Sequence, residues 1–148
     1  MDSKIILKLV RYCAYQERCA SEIRKKLTDL EVESNLWDEY FDYLAEEGYW
    51  NEARFVEIFC RSKFSLKSWG KYKIKSELLK KGISEKLILP EIEKLDGEDY
   101  KRRIKELLTK KMNSLKGKSP LEIKQKTYRY GLSKGFSSEE ILQLIGDL

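Results

Sequence analysis

The chain has 148 residues, a net charge of +5 and 41% hydrophobic residues, including three tryptophans, nine tyrosines and five phenylalanines. This content excludes an intrinsically disordered chain, and 37% charged residues with only two prolines favour helices over a turn-rich sheet protein. There is no histidine, the commonest general base and metal ligand near neutral pH, so we expect no enzyme and no bound cofactor or metal.

The N-terminal segment and the cysteines bear on the cellular compartment. Residues 1–15 contain only short apolar runs broken by lysine and arginine, typical neither of a signal peptide nor of a membrane span. The three cysteines, Cys13, Cys19 and Cys60, form no CxxC pair, and an odd number is a poor disulfide framework. We therefore expect reduced, packed thiols in a cytoplasmic protein. Because Arg18 precedes Cys19, a lowered thiol pKa is the less favoured alternative.

The spacing of apolar residues predicts nine helices. In chain order, the predicted helical stretches lie at residues 5–13, 23–27, 36–44, 55–59, 74–78, 87–95, 100–111, 119–135 and 141–148. Two of the helix starts have a capping serine followed three residues later by a glutamate, namely Ser119 with Glu122 and Ser137 with Glu140. These serines are expected to accept backbone hydrogen bonds at the first turn.

Part of the chain repeats at an interval near 50 residues. Residues 78–95 and 131–148 align at an offset of 53 and share a glycine, apolar residue and serine that begin at Gly82 and Gly135. An earlier copy aligns at an offset of 51 but has Glu31 in place of the glycine, so we expect its turn to be built differently. Repeats of this length indicate helical units that stack on their neighbours.

The predicted fold is all-α. It is an elongated tandem array of three three-helix repeats, about nine helices in total, with no β-sheet. The three repeats are expected to span residues 1–48, 49–96 and 97–148. One such repeat alone buries too little apolar surface, so we expect each to pack against the next.

Charge is segregated along the chain. Residues 29–57 contain ten acidic residues and one basic residue, residues 61–81 eight basic and one acidic, and residues 98–134 twelve basic and four acidic. Two basic blocks beside an acidic one indicate a surface that is steered towards a polyanion or an acidic partner, although any single lysine could serve solubility alone. The candidate contact residues for a partner protein or DNA are Lys71, Lys73, Lys75, Arg102, Arg103, Lys124, Lys126 and Arg129.

Two other patterns do not define sites. The Gly117-Lys118-Ser119 stretch lacks the earlier glycine and the preceding strand that a phosphate-binding loop needs. The acidic residues at 38–47 have no partner motif, so they indicate an exposed acidic helix face and not a metal or acid–base site.

Three stretches resemble the RecX family. The first runs from Ser21–Leu27 through the third predicted helix to EEGYWNEARF at 46–55. The other two are WGKYKIKSELLKKGIS at 69–84 and YGLSKGFSSEEI at 130–141. The chain departs from the family's pattern at Cys19, Glu31 and Trp50.

The resemblance implies a curved string of three-helix repeats that lies in the groove of the RecA–single-stranded DNA filament. Such a protein takes part in homologous recombination, DNA repair and the SOS response, and it inhibits recombination and coupled ATP hydrolysis by impeding filament growth. We expect a cytoplasmic monomer without membrane contact, and direct binding to single-stranded DNA is left open.

A direct DNA-binding protein of helix-turn-helix type is the alternative, because small basic three-helix units also fit that class. Such a protein concentrates its base-contacting side chains at the start of one helix. Here the positive charge is spread over two repeats, which favours the filament. An enzyme based on carboxylates or lysine has no supporting motif in this sequence.

Overall fold

The structure, a computed structural model, describes residues 1–146, which form nine α-helices and no strand. The helices are α1 Ser3–Tyr15, α2 Ala20–Asp29, α3 Trp37–Glu46, α4 Glu52–Lys67, α5 Lys71–Lys80, α6 Glu85–Glu93, α7 Glu98–Ser114, α8 Pro120–Lys134 and α9 Ser138–Ile145. A short 3-10 turn, Ser34–Leu36, precedes α3. The all-α prediction is confirmed; Leu148, the last apolar residue of the aligned repeat, lies outside the described residues.

Each set of three consecutive helices encloses an apolar core, and we call α1–α3 unit 1, α4–α6 unit 2 and α7–α9 unit 3. The deeply buried residues include Leu9, Leu27 and Leu44 in unit 1, Val56, Leu78 and Ile88 in unit 2, and Ile104, Leu108 and Ile141 in unit 3. Burying one such side chain contributes about 1.5–3 kcal/mol, so each unit has a core of its own. The boundaries at 48/49 and 96/97 stay a prediction.

The array of units is elongated, as predicted. Its accessible surface is 9430 Å², whereas a compact monomer of 17.6 kDa exposes about 7,900 Å². The difference follows from the stacking of small units, each of which leaves most of its outer helix faces in solvent.

The turns that follow α2, α5 and α8 have the same backbone conformation. Gly82 and Gly135 have φ of 81° and 97°, and Glu31 adopts φ of 60° at the equivalent place. In each turn an amide donates to the carbonyl five residues earlier: Val32 to Leu27 at 3.0 Å, Ile83 to Leu78 at 3.2 Å, and Phe136 to Gly131 at 3.1 Å. The prediction of a differently built first turn was therefore wrong, because the hydrogen bonds hold Glu31 in a left-handed conformation that glycine adopts more readily.

The two predicted capping serines are present at the starts of α8 and α9. Ser119 Oγ accepts from the amide of Glu122 at 3.2 Å, and Ser137 Oγ accepts from the amide of Glu140 at 3.0 Å. Glu140 also accepts from the amide of Ser137 at 2.8 Å, which completes a capping box. Capping satisfies amides that a helix start leaves without partners.

Side chains connect unit 1 to unit 2. Glu52 Oε1 accepts from the amide of Ala20 at 2.8 Å, and Arg54 Nε donates to Glu17 Oε1 at 2.7 Å. Lys81 Nζ reaches from α5 back to Glu22 of α2 at 3.4 Å. Charged groups therefore connect the two units beside Cys19, which precedes α2 and is buried in the apolar core of unit 2.

Backbone groups connect unit 2 to unit 3. The amide of Gly70 donates to the carbonyl of Lys134 at 2.6 Å, and the amide of Tyr72 donates to the carbonyl of Gly135 at 3.0 Å. The amide of Lys71 donates to Tyr100 Oη at 3.1 Å. Unit 3 thus satisfies the free amides at the start of α5 with the C-terminus of α8 and a buried tyrosine. This contact places the last turn of α8 beside the end of α4.

Candidate functional site

The three predicted contact residues on α5 have different surroundings. Lys71 forms an ion pair with Asp96, and its ammonium lies 4.7 Å from the ring centroid of Tyr100. The ammonium of Lys75 lies 3.4 Å from Glu85 Oε1. Lys73, by contrast, has its ammonium 4.7 Å from the ring centroid of Trp69. Two of the three positive charges are therefore compensated within unit 2 or at its junction.

On α7, Arg103 has a structural position and Arg102 an exposed one. Arg103 Nη1 donates to Ser68 Oγ at 2.8 Å and to the carbonyls of Phe64 and Ser65 at 3.3 Å each. These carbonyls belong to the last turn of α4, where a guanidinium offsets the negative end of the helix. Arg102 Nη2 lies 3.2 Å from Asp99 Oδ1, and both side chains are exposed.

On α8, the three predicted residues differ in burial and in ion pairing. Lys126 Nζ lies 3.0 Å from Glu122 Oε1, a contact that lowers the pKa of that carboxyl together with Lys118. Arg129 is exposed and has no ion-pair partner within residues 1–146, and Lys124 is half-buried. The eight candidates therefore differ in how far their charges are compensated, and Lys73 joins a larger cationic group.

That group lies around the end of α4, and we call Trp69, Lys63, Lys67, Lys73 and Lys134 the Trp69 cluster. The ammonium groups of Lys63 and Lys73 lie 4.9 Å and 4.7 Å from the ring centroid of Trp69. Lys134 Nζ donates to the carbonyl of Lys67 at 2.8 Å. Within the described range, none of the four ammonium groups lies at ion-pair distance from a carboxylate.

Local structure brings Lys63, Lys67 and Trp69 together. Lys63 and Lys67 are four residues apart on α4 and so share a face of that helix. Ser68 ends the helix with φ of 57°, and the amide of Trp69 then donates back to the carbonyl of Lys63 at 3.0 Å. The indole therefore folds back towards the helix that carries the two lysines.

Tertiary structure adds Lys134, which is 67 residues from Lys67 along the chain. It lies in the last turn of α8, where Gly135 contacts the backbone of Gly70. Burial lowers the pKa of the Lys134 ammonium, and the positive charges of Lys73 and Lys67 lower it further. Like charges are therefore held close enough to oppose one another, which a bound anion would relieve.

Sequence reasoning missed most of this cluster. It counted Lys63, Lys67 and Lys134 within the basic blocks but did not select them, and it treated Trp69 as part of a family motif. The available signal was the spacing of Lys63, Lys67 and Trp69 around the helix end at Ser68. No sequence signal links these residues to Lys134.

The cysteines are packed, and their thiols are held in the neutral form. Burial raises the pKa of Cys13 to about 11 and that of Cys60 to about 12, and it also raises the pKa of Cys19. The alternative of a lowered pKa at Cys19 was therefore wrong, because desolvation of the thiol dominates there.

Residues 1–146 have neither a metal-binding cluster of acidic and cysteine side chains nor a membrane-spanning helix. That part of the chain contains no group of three or more cysteine, aspartate or glutamate residues placed to hold a metal ion. None of its helices combines the length and the apolar character that crossing a membrane requires.

Comparison with known proteins gives consistent matches. Two family models match, "RecX, second three-helix domain" over residues 51–89 and "RecX, third three-helix domain" over residues 95–145. Regulatory protein RecX of Clostridium beijerinckii is 35% identical over 126 residues, which are 84% of this chain and 58% of the relative. Regulatory protein RecX of Clostridium perfringens (strain SM101) is 33% identical over 118 residues, 78% of this chain and 55% of the relative.

Two crystal structures share the fold. A regulatory protein RecX superposes with a TM-score of 0.87 at 21% identity, covering 98% of this chain and 73% of the other. RecX from Lactobacillus salivarius superposes with a TM-score of 0.85 at 24% identity, covering 97% and 93%. The chain spans only 58% and 55% of the length of the two clostridial relatives. Since the two family models together match more than half of its residues, the chain belongs to the RecX family.

Proposed function

We propose that this protein binds the RecA–single-stranded DNA filament and inhibits recombinase and ATPase activity by impeding filament growth. Family membership supports a regulatory role, since the relatives carry the name Regulatory protein RecX. The observation that carries the proposal is the uncompensated Trp69 cluster at the junction between two units of an elongated array. The protein acts as a cytoplasmic monomer in this proposal.

The elongated array suits a partner that repeats along a fibre. Several weak contacts held at fixed spacing on one scaffold act together, because each later contact forms at a high effective concentration. The direct helix-turn-helix alternative needs free side chains at the start of a recognition helix. Lys71, at the start of α5, is held by Asp96 and Tyr100 and is therefore not free to contact a base. This favours binding to the filament over the helix-turn-helix alternative.

The test is a titration of recombinase ATPase activity on single-stranded DNA with this protein at several salt concentrations. We expect inhibition that weakens as salt rises, and tighter binding to recombinase-coated DNA than to bare DNA. Undiminished ATPase activity at saturating protein would refute the proposal. Tighter binding to bare duplex DNA would support the helix-turn-helix alternative.

Variants that probe the predicted contacts should spare the residues that hold the units together. Lys71 and Arg103 are unsuitable, because one pairs with Asp96 and the other binds the end of α4. We expect Arg102→Gln combined with Arg129→Gln to weaken inhibition, since both side chains are exposed. A matched control removes the same charge from α1 of unit 1, at exposed Lys4 and Lys8. Equal inhibition by both variants would remove Arg102 and Arg129 from the interface.

A further inference from the structure

The lysines of the Trp69 cluster differ from most lysines along α5 and α8 in having no carboxylate partner. Lys71, Lys75, Lys80, Lys81 and Lys126 each pair with an acidic side chain. Around Trp69, within residues 1–146, the positive charges are balanced by π faces and a carbonyl only. This arrangement leaves a concentrated positive potential at one place on the surface.

The ammonium groups of the cluster are partly preorganised. The indole of Trp69 holds those of Lys63 and Lys73 by cation–π contacts, and the carbonyl of Lys67 holds that of Lys134. Fixing these side chains before binding reduces the conformational entropy that a ligand must overcome. The cluster combines residues of α4 and α5 with one of α8, so a single ligand would touch units 2 and 3 together.

From this geometry we infer that the Trp69 cluster is a binding site for the phosphate groups of a nucleic-acid strand. Lysine ammonium groups are positively charged and only donate hydrogen bonds, so they favour a ligand with negatively charged acceptor atoms. A strand carries one negative charge per nucleotide without interruption, which suits a cluster that contains no acidic residue. Protein surfaces intersperse both signs of charge and suit it less well. The inference deepens the proposed function, on which it rests, by assigning the strand and not the recombinase to this site.

The experiment measures binding of bare oligothymidylate, about 20 nucleotides long, by fluorescence anisotropy at several salt concentrations. The variant combines Lys63→Gln and Lys67→Gln, which leave the backbone carbonyl of Lys67 in place. Each phosphate contact contributes about 0.7 to the slope of log K against log salt for single strands, so losing two lowers the slope by about 1.4. The control combines Lys4→Gln and Lys8→Gln, which remove equal charge from unit 1, and it should keep the wild-type slope.

A second measurement follows the Lys134 ammonium by NMR. Its pKa is lowered in the free protein, and bound phosphate should raise it towards the ordinary value for lysine. An unchanged pKa at saturating oligonucleotide, or an equal change of slope in the control, would overturn the inference. So would equally tight binding of polyglutamate of similar length with the same loss in the variant, which would assign the site to an acidic protein surface. No recombinase is present, so the outcome is separate from the ATPase test.

Discussion

Replacing Gly70 with alanine is expected to loosen the contact between unit 2 and unit 3. A Cβ atom at this position would overlap the backbone carbonyl of Gly135 and the ring of Phe136. A backbone carbonyl cannot rotate away as a side chain does, so the start of α5 would have to move. The movement would break the hydrogen bonds that the amides of Gly70 and Tyr72 donate to the end of α8.

The expected size of the effect follows from these contacts. The two hydrogen bonds contribute about 1 kcal/mol each. Overpacking costs about 1–3 kcal/mol more. Because φ of Gly70 is −80°, alanine is compatible with the backbone conformation at this position. Alanine also lowers the conformational entropy of the unfolded chain, which offsets about 0.4–1 kcal/mol of the lost stability. The free energy of unfolding should therefore fall by about 2–5 kcal/mol.

Urea unfolding measures the loss, and hydrogen exchange at the Tyr72 amide locates it. Gly82→Ala is the control, because φ there is 81° but no non-neighbouring atom of residues 1–146 lies within 4 Å of the added Cβ. That variant should lose about 1 kcal/mol from backbone strain alone and keep the Tyr72 amide protected. A Gly70→Ala protein as stable as the wild type, with the same protection at Tyr72, would refute the role assigned to this contact.

Two other predictions concern the repeat turn and the buried thiols. Glu31→Gly should raise the free energy of unfolding by about 0.5–1 kcal/mol, since glycine adopts positive φ without the penalty of a Cβ; a lower urea midpoint would contradict this. Burial raises the pKa of Cys60 from 9.0 to about 12, so the folded state keeps a proton that the unfolded state loses above pH 9. Stability should therefore fall as pH rises from about 9 to 12, and less steeply in Cys60→Ala; identical pH profiles would show that this thiol does not contribute.

Much of the fold could be predicted from the sequence because it depends on local patterns. The helical spacing of the apolar residues around Leu9, Leu27 and Leu44 marks one face of each of three helices for burial. Ser119 and Ser137 mark helix starts, because a capping hydrogen bond involves residues of a single turn. The repeat near 50 residues indicated that three-helix units follow one another. The turn at Glu31 was predicted wrongly, since hydrogen bonds to preceding residues hold this glutamate in the left-handed conformation that glycine adopts in the other two turns.

The sequence by itself determined the helices, their order and the uneven distribution of charge, because each depends on residues close together along the chain. Only the tertiary structure decided which lysines have carboxylate partners. Asp96 forms an ion pair with Lys71 and compensates its charge. The contact between Gly70 and Gly135 brings Lys134 close to Lys67 and Trp69. The net field at a site depends on distances between charges in space, and these distances are set by how α8 packs against the end of α4.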